Sequence, residues 1–333
     1  MFSPEQYRAL RDGAGLVDRS NRGRLRLTGQ DRRDYLQGLL SNDITALSPG
    51  SGCYASLLTA QGRMIADMYV METGEAVLLD LEREVAARVA AHLEQFVFSE
   101  DVAVADVTGS IAQLGVFGPR AADVVCRALD SSATTNASDL ERLPVLGNRP
   151  STWDGSPVTI VRRDDLGGLG FDLWIPVERV DSLAQAIRAA GAVEVEPDVV
   201  EMRRVEAGRP IFGKDMTDDT IPLEAGIEDR AISQTKGCYV GQEVIIRVLH
   251  RGHGRVARRL VGLTCEGTSE VPAVGAPIAS AERTIGAVTS AVWSPSLERP
   301  IALGYVHRDF VEPGTAVTIG SGVAAVVTKL PFA

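Results

Sequence analysis

Cysteine is scarce and scattered in this chain: Cys53, Cys126, Cys238 and Cys265 form no C-x-x-C pair and no metal-ligand spacing. That pattern gives no ligand set for a metal and suits a reducing, cytoplasmic setting better than a disulfide scaffold. No apolar run approaches the roughly 20 residues needed to cross a bilayer, so no membrane partner is expected. The start, Met1-Phe2-Ser3-Pro4-Glu5-Gln6, lacks the basic and apolar segments of a signal peptide. Positive charge is also short: a formal net charge of −10 argues against nucleic-acid binding over the whole surface. What remains is ordinary globular material, 45% hydrophobic and 23% charged. At 333 residues it exceeds one ordinary core, which favours two or three domains.

The hydrophobic pattern predicts a helix near 4–13, a strand over 24–27, and a helix carrying Tyr35, Leu36, Leu39 and Leu40. Strands follow over 52–58, 64–71 and 75–81, then an amphipathic helix over 84–96. The rhythm repeats with a strand over 111–117 and a helix over 120–129. Laid side by side without gaps, 28–40 and 117–129 match at Gly29/Gly118, Asp34/Asp123 and Leu40/Leu129, an echo of two related strand-turn-helix units. Residues 131–156 read as a polar loop or subdomain crossing. Strands over 158–162 and 171–175 and helices over 180–190 and 198–207 complete this part. Beyond about residue 256, short β-rich runs alternate with Gly/Pro turns, which predicts a separate small barrel or sandwich.

Residues 236–243, Lys-Gly-Cys-Tyr-Val-Gly-Gln-Glu, carry the densest chemical signal. Cys238 stands two residues from the Lys236 ammonium, and a nearby cation raises a thiol's thiolate fraction. Gly237 and Gly241 permit a tight turn, while Lys236, Gln242 and Glu243 are poor company for a buried core position. Tyr239 completes the motif. The span 236–259 holds six Lys/Arg against one acid, Glu243, with His250 and His253 adding charge below neutral pH. It is either a solvated connector or a seat for a polyanion, in which Arg247 and Arg251 are the candidate contacts.

Asp67 lies inside the apolar stretch 64–71, on the same face as Ile65 and Tyr69. Buried among them, its pKa would rise; at a sheet edge it would simply face water. The cluster Gly167-Gly168-Leu169-Gly170 is a turn before a strand and not a dinucleotide fingerprint. Alone, Arg204 and Glu206 read as ordinary helix charges before the cap Gly208.

Three stretches together resemble the folate-dependent glycine-cleavage T-protein superfamily: Gly38–Ile44 with Tyr54 and Gly62–Asp67, then Arg204–Gly226, then Ile285–Leu303. The Lys-Gly-Cys-Tyr-x-Gly-Gln-Glu octapeptide resembles the signature of that superfamily's YgfZ branch, tied to iron–sulfur cluster assembly or repair and to tRNA modification. The resemblance implies an α+β fold of two related α/β subdomains and a C-terminal β-barrel around a central cavity. It further implies a discontinuous first α/β folate-binding lobe over 1–50 and 110–250, a second α/β lobe over 51–109, and a barrel over 256–333. Tetrahydrofolate or a one-carbon derivative is the implied cofactor, with Tyr54, Asp67, Asp172 and Arg204 at folate-binding positions. The chain departs from T-proteins at Ala66, Asp165, Asp172 and Val200, where that family carries a second acid, a tyrosine, a glutamate and an arginine.

Three functions follow. The first is a tetrahydrofolate-binding factor that supports iron–sulfur enzymes or assembly factors, with Cys238 as the working thiol tuned by Lys236. The second is a folate-dependent aminomethyltransferase in which Asp67 orients the folate nitrogen. The third is a non-catalytic module that binds tRNA or a protein through 236–259.

Overall fold

Ile111–Phe117 forms a strand over the very residues that the hydrophobic pattern marks, and Pro277–Ser280 and Ala316–Ile319 are strands within the β-rich C-terminal stretch. The computed structural model describes residues 3–129, 136–251 and 254–332. They fold as two units. One holds the chain up to Leu57 with 65–200 and 230–240; the other holds 58–64, 201–229 and the chain from Gly241 onward.

In the first unit the strands are β1 (Gly15–Asp18), β2 (Gly23–Thr28), β3 (Ser51–Leu58), β4 (Met64–Glu72), β5 (Val77–Leu81) and β6 (Ala103–Asp106). After them come β7 (Ile111–Phe117), β8 (Asn148–Trp153), β9 (Ser156–Arg163), β10 (Gly170–Pro176) and β11 (Val193–Glu194). They build two sheets, ordered β11-β1-β7-β10-β9-β8 and β3-β4-β5-β2-β6.

Period-two alternation gives each sheet two unlike faces. On the first sheet, Leu114 and Val116 of β7 with Phe171 and Leu173 of β10 pack under helices Ala121–Ala128 and Val180–Ala189. On the second, Ala66, Met68 and Val70 of β4 and Leu79 of β5 pack under helices Arg32–Leu39 and Arg83–Glu94. Each fully buried aliphatic side chain there contributes roughly 1.5–3 kcal/mol. The opposite faces meet one another: Met71 and Leu78 pack on Val161 and Trp174. Next to that contact the alternation leaves polar residues facing inward, and these build the candidate site.

The internal echo corresponds to a repeated local geometry. Gly29 and Gly118 each turn a strand into a helix at positive φ, 102° and 120°. A Cβ would lie 1.9 Å from the Asp101 carbonyl oxygen at Gly29 and 2.5 Å from that of Gly13 at Gly118, so only glycine fits.

Three expectations need correction. The division expected between residues 50 and 51 does not separate the sheets: β2 pairs with β5 from Gly23↔Leu81 to Leu27↔Val77 and also with β6. Leu25 and Leu27 are completely buried in the second core, which fixes β2 and helix Arg32–Leu39 there and leaves only β1 to the first sheet. The first lobe also does not run through to 250, because 201–229 and the chain from Gly241 belong to the second unit. The span read as a loop contains helix Ala137–Glu141 and strand β8, while its residues 131–135 lie outside the described set. As an edge strand with one neighbour, β8 tolerates Pro150 and a polar composition that hide it from a hydrophobic search.

In the second unit, β12 (Arg258–Cys265), β13 (Pro277–Ser280), β14 (Arg283–Ser294), β15 (Arg299–His307), β16 (Ala316–Ile319) and β17 (Val323–Thr328) close a barrel in the order β12-β15-β14-β13-β16-β17. Closure removes free sheet edges. Leu263, Ile278, Val288, Val306, Ile319 and Val327 fill its interior. Among the described residues no helix is long and apolar enough to cross a membrane.

Candidate active site on the inner face of the first unit

Asp67 is on β4, which lies between β3 and β5, so it is not on an edge strand. Alternation turns it to the inner face with Tyr69, away from Ala66 and Met68 in the core. The Tyr54 hydroxyl, from β3, donates to Asp67 Oδ2 at 2.5 Å. Burial pushes the Asp67 pKa up to about 6; the Tyr54 hydrogen bond opposes the rise and nearby Glu82 adds to it. Burial next to this carboxylate also raises the Tyr54 pKa well above its ordinary value, so the phenol stays a donor. The Tyr54 and Tyr69 rings are 5.2 Å apart, and the Arg230 guanidinium lies 4.9 Å from the Tyr54 ring centre.

Beyond Tyr69 comes a buried ionic network. The Arg163 guanidinium, at the end of β9, lies 3.7 Å from the Tyr69 ring centre. It donates to both oxygens of Asp165, at 2.9 and 3.1 Å, and to Asp80 Oδ2 at 3.0 Å. Arg19 joins Asp165 at 2.6 Å, and Arg22 binds Asp80 and Glu82. Burial works against ionised Asp80 and Asp165, yet the surrounding arginines win and hold both pKa values low. At Asp172 the balance tips the other way: burial outweighs Arg19 and Arg163, and its pKa is raised. Gln113 Nε2 donates to Asp172 Oδ2 at 2.7 Å, while Gln113 Oε1 and Asp172 Oδ1 are buried without a hydrogen-bond donor.

Of the folate-binding positions expected from sequence, Tyr54, Asp67 and Asp172 thus share this inner face. Arg204 does not act as expected. Its five N–H groups are all engaged inside the second unit, with Glu201 (two bonds), Asp215, Ser290 and the Arg209 carbonyl, at 2.6–2.9 Å. A guanidinium so saturated has no donor left for a ligand.

Lys236 is also redirected. Its ammonium donates to the carbonyls of Gln37, Leu40 and Asn42 at 2.7, 2.6 and 2.8 Å, at the C-terminal end of helix Arg32–Leu39. An ammonium has three N–H groups, so none is left to donate to the Cys238 thiol. Burial pushes the Lys236 pKa down to about 8. Segment 230–240 is thereby fastened to the turn after that helix, helped by Ser41 and Asn42, which donate to the carbonyls of Ala231 and Arg230. Tyr239 is buried beside the Lys236 ammonium, and Gly237 and Cys238 are exposed. In the second unit, Gly241 at φ 84° precedes the short helix Gln242–Ile246. There Arg247 pairs with Glu243, Arg258 with Glu224 and Arg259 with Glu228. Much of the expected basic seat is therefore neutralised locally; the Arg251 side chain and His253 lie outside the described residues. Among the described residues, no group of three or more His, Cys, Asp and Glu could hold a metal ion.

Sequence reading missed Tyr69, Asp80, Gln113, Arg163 and Arg230 as members of the site. For Asp80 a signal existed: a carboxylate inside the otherwise apolar strand Val77–Leu81, the same anomaly that marked Asp67.

Residues 2–236 match the model described as the GCVT N-terminal domain, and residues 258–333 match the glycine cleavage T-protein C-terminal barrel domain. The chain is 30% identical to an aminomethyltransferase of Cutibacterium acnes, covering 98% of this chain and 89% of that protein. It is 31% identical to one of Streptomyces coelicolor, covering 98% and 88%. Among solved structures it resembles glycine cleavage system aminomethyltransferase T from Bartonella henselae, with 25% identity, a TM-score of 0.87, and coverage of 99% and 89%.

Proposed function

Because the chain belongs to the glycine cleavage T-protein family, we propose that it is a reduced-folate-dependent one-carbon transferase of the aminomethyltransferase kind, with Asp67 as its proton-handling group. The observation that carries this reading is a half-buried carboxylate, held by Tyr54, whose pKa of about 6 is close to working pH. A general acid or base is most effective when its pKa lies there.

The residues present fit a reduced folate. A tetrahydropterin has a planar pyrimidine ring and is rich in N–H donors. The inner face supplies two buried acceptors without a hydrogen bond, Gln113 Oε1 and Asp172 Oδ1, the latter approached by Arg19 Nη1 only to 3.7 Å, and the aromatic pair Tyr54–Tyr69. Bound there, tetrahydrofolate supplies the nitrogen atoms that accept or release a one-carbon unit. The protein's part is positional and electrostatic. Tyr54 donates to Asp67 Oδ2 and so fixes the carboxylate plane. Asp67 Oδ1 then serves to orient, and to take or return, a proton at the substrate nitrogen. The apolar contact of Met71 and Leu78 with Val161 and Trp174 keeps the neighbouring interior dry.

Release of ammonia from an aminomethyl-lipoyl carrier in the presence of tetrahydrofolate tests the reading. Turnover by the wild type and its loss in Asp67→Asn is the expected result; no turnover at saturating folate would sink it.

The exposed thiol of Cys238, on a segment that Lys236 fastens in place, supports a second reading. This is the YgfZ-like one, a folate-binding factor serving iron–sulfur enzymes and tRNA modification. Cys238→Ala should then abolish support of a cluster-dependent enzyme while sparing folate affinity. Intact support in that variant would remove this second reading.

A further inference from the structure

The guanidinium of Arg230 stands apart from the other cations of the inner face. Arg19, Arg22 and Arg163 are each tied to carboxylates. Arg230 is half-buried, and among the described residues its guanidinium has no hydrogen bond or ion pair; its side chain meets the face of Tyr54, 4.9 Å from the ring centre. Its backbone, in contrast, is pinned: Asn42 Nδ2 donates to the Arg230 carbonyl at 2.9 Å, and Ser41 Oγ to that of Ala231 at 2.6 Å. The same Asn42 amide also donates to the Tyr54 carbonyl at 2.8 Å, which couples the arginine's backbone to the strand that carries Tyr54. A cation on so firmly held a backbone, partly desolvated and left without a counter-ion, is prepared for an anion that arrives with a ligand.

We propose that Arg230 is the carboxylate receptor of the Asp67 site, taking a carboxylate borne by the substrate while Tyr54 and Asp67 engage its reacting nitrogen. The inference rests on the one-carbon-transfer reading and deepens it. A planar guanidinium offers two parallel N–H groups to one carboxylate, which a phenol or an amide cannot do. Two sources share this chemistry: the glutamyl tail of a reduced folate, and the carboxylate of a small amine that brings the one-carbon unit.

Calorimetric titration of the full chain with tetrahydrofolate and with 6-methyltetrahydropterin, which carries no carboxylate, separates them. If the tail is the anion, Arg230→Met weakens tetrahydrofolate about ten- to a hundredfold, leaves 6-methyltetrahydropterin unchanged, and Arg230→Lys recovers part of the loss. If the small amine is the anion, both pterins bind both proteins equally, and saturable binding of N-methylglycine to the wild type disappears in Arg230→Met. Equal losses for both pterins would overturn the proposal, since the side chain would then only support the fold. Unchanged binding of all three probes would overturn it as well. Failure of either pterin to bind the wild type removes the folate reading instead, and N-methylglycine alone then decides Arg230: binding lost in Arg230→Met supports the receptor, and no binding to the wild type overturns it. Thermal midpoints of the variants check that each is folded.

Discussion

Arg163 lies over the face of Tyr69, its guanidinium carbon 3.7 Å from the ring centre, while its nitrogens grip Asp165 and Asp80. A delocalised, weakly hydrated cation stacked on an aromatic face tolerates burial better than an ammonium. It also neutralises carboxylates that could not otherwise remain ionised between two sheets. Arg163→Met should therefore leave Asp80 and Asp165 without their shared partner and destabilise the protein by roughly 3–5 kcal/mol. Urea unfolding measures this; a loss below about 1 kcal/mol would show the network to be a spectator.

Asp67 places function and stability in opposition. Its pKa near 6 lies above the unfolded carboxylate value of about 3.9, so folding favours the protonated form. The sign follows: stability falls as pH rises from about 4 to 6, and the full penalty is present above that range. Asp67→Asn should raise stability at pH 7 by roughly 1–2 kcal/mol, allowing for partial exposure, with a smaller gain near pH 4. It should also lower the transfer rate by about two to four powers of ten. Thermal midpoints at the two pH values and single-turnover kinetics read both effects.

The same titration sets the pH dependence of activity. With Asp67 acting as a base, the rate should climb through pH 6 and level off above it. Tyr54→Phe removes the hydrogen bond that holds this pKa down, so the rising limb should move to higher pH. A limb that stays in place in Tyr54→Phe would exclude Asp67 as the group observed.

Lys236 and Cys238 should behave differently although two residues apart. Lys236→Met strips the donor from three carbonyls and should cost roughly 2–4 kcal/mol. Cys238→Ala alters an exposed side chain and should change stability by less than about 0.5 kcal/mol. Chemical denaturation of the two variants decides the matter, and equal losses would contradict the placement of the ammonium.

Arg204 gives a separate check in the second unit. Arg204→Met leaves Asp215 and Glu201 without their guanidinium, and a loss of roughly 3–5 kcal/mol is expected. Folate affinity of the folded protein should not change, because every N–H of Arg204 is already spent within its own unit. Titration with tetrahydrofolate below the melting range tests this.

Sequence alone determined what depends on near neighbours along the chain. Period-two alternation placed β4, β7 and β10, the three- and four-residue period placed helix Arg83–Glu94, and the change of texture near 256 located the barrel. A carboxylate in an apolar strand marked Asp67 as an anomaly, and the family resemblance made it a folate position. Tertiary structure decided where charges find their partners. Sequence placed Lys236 beside Cys238, but three distant carbonyls compete better for an ammonium than a thiol two residues away. The family resemblance gave Arg204 to a ligand, but Asp215 and Ser290 reach it first. Arg163 meets Asp80 across 83 positions of chain, a separation over which linear pattern carries no information. Charge pairing acts through space and over a few ångströms, whereas alternation and capping are written into consecutive residues; the first must await the fold, and the second precedes it.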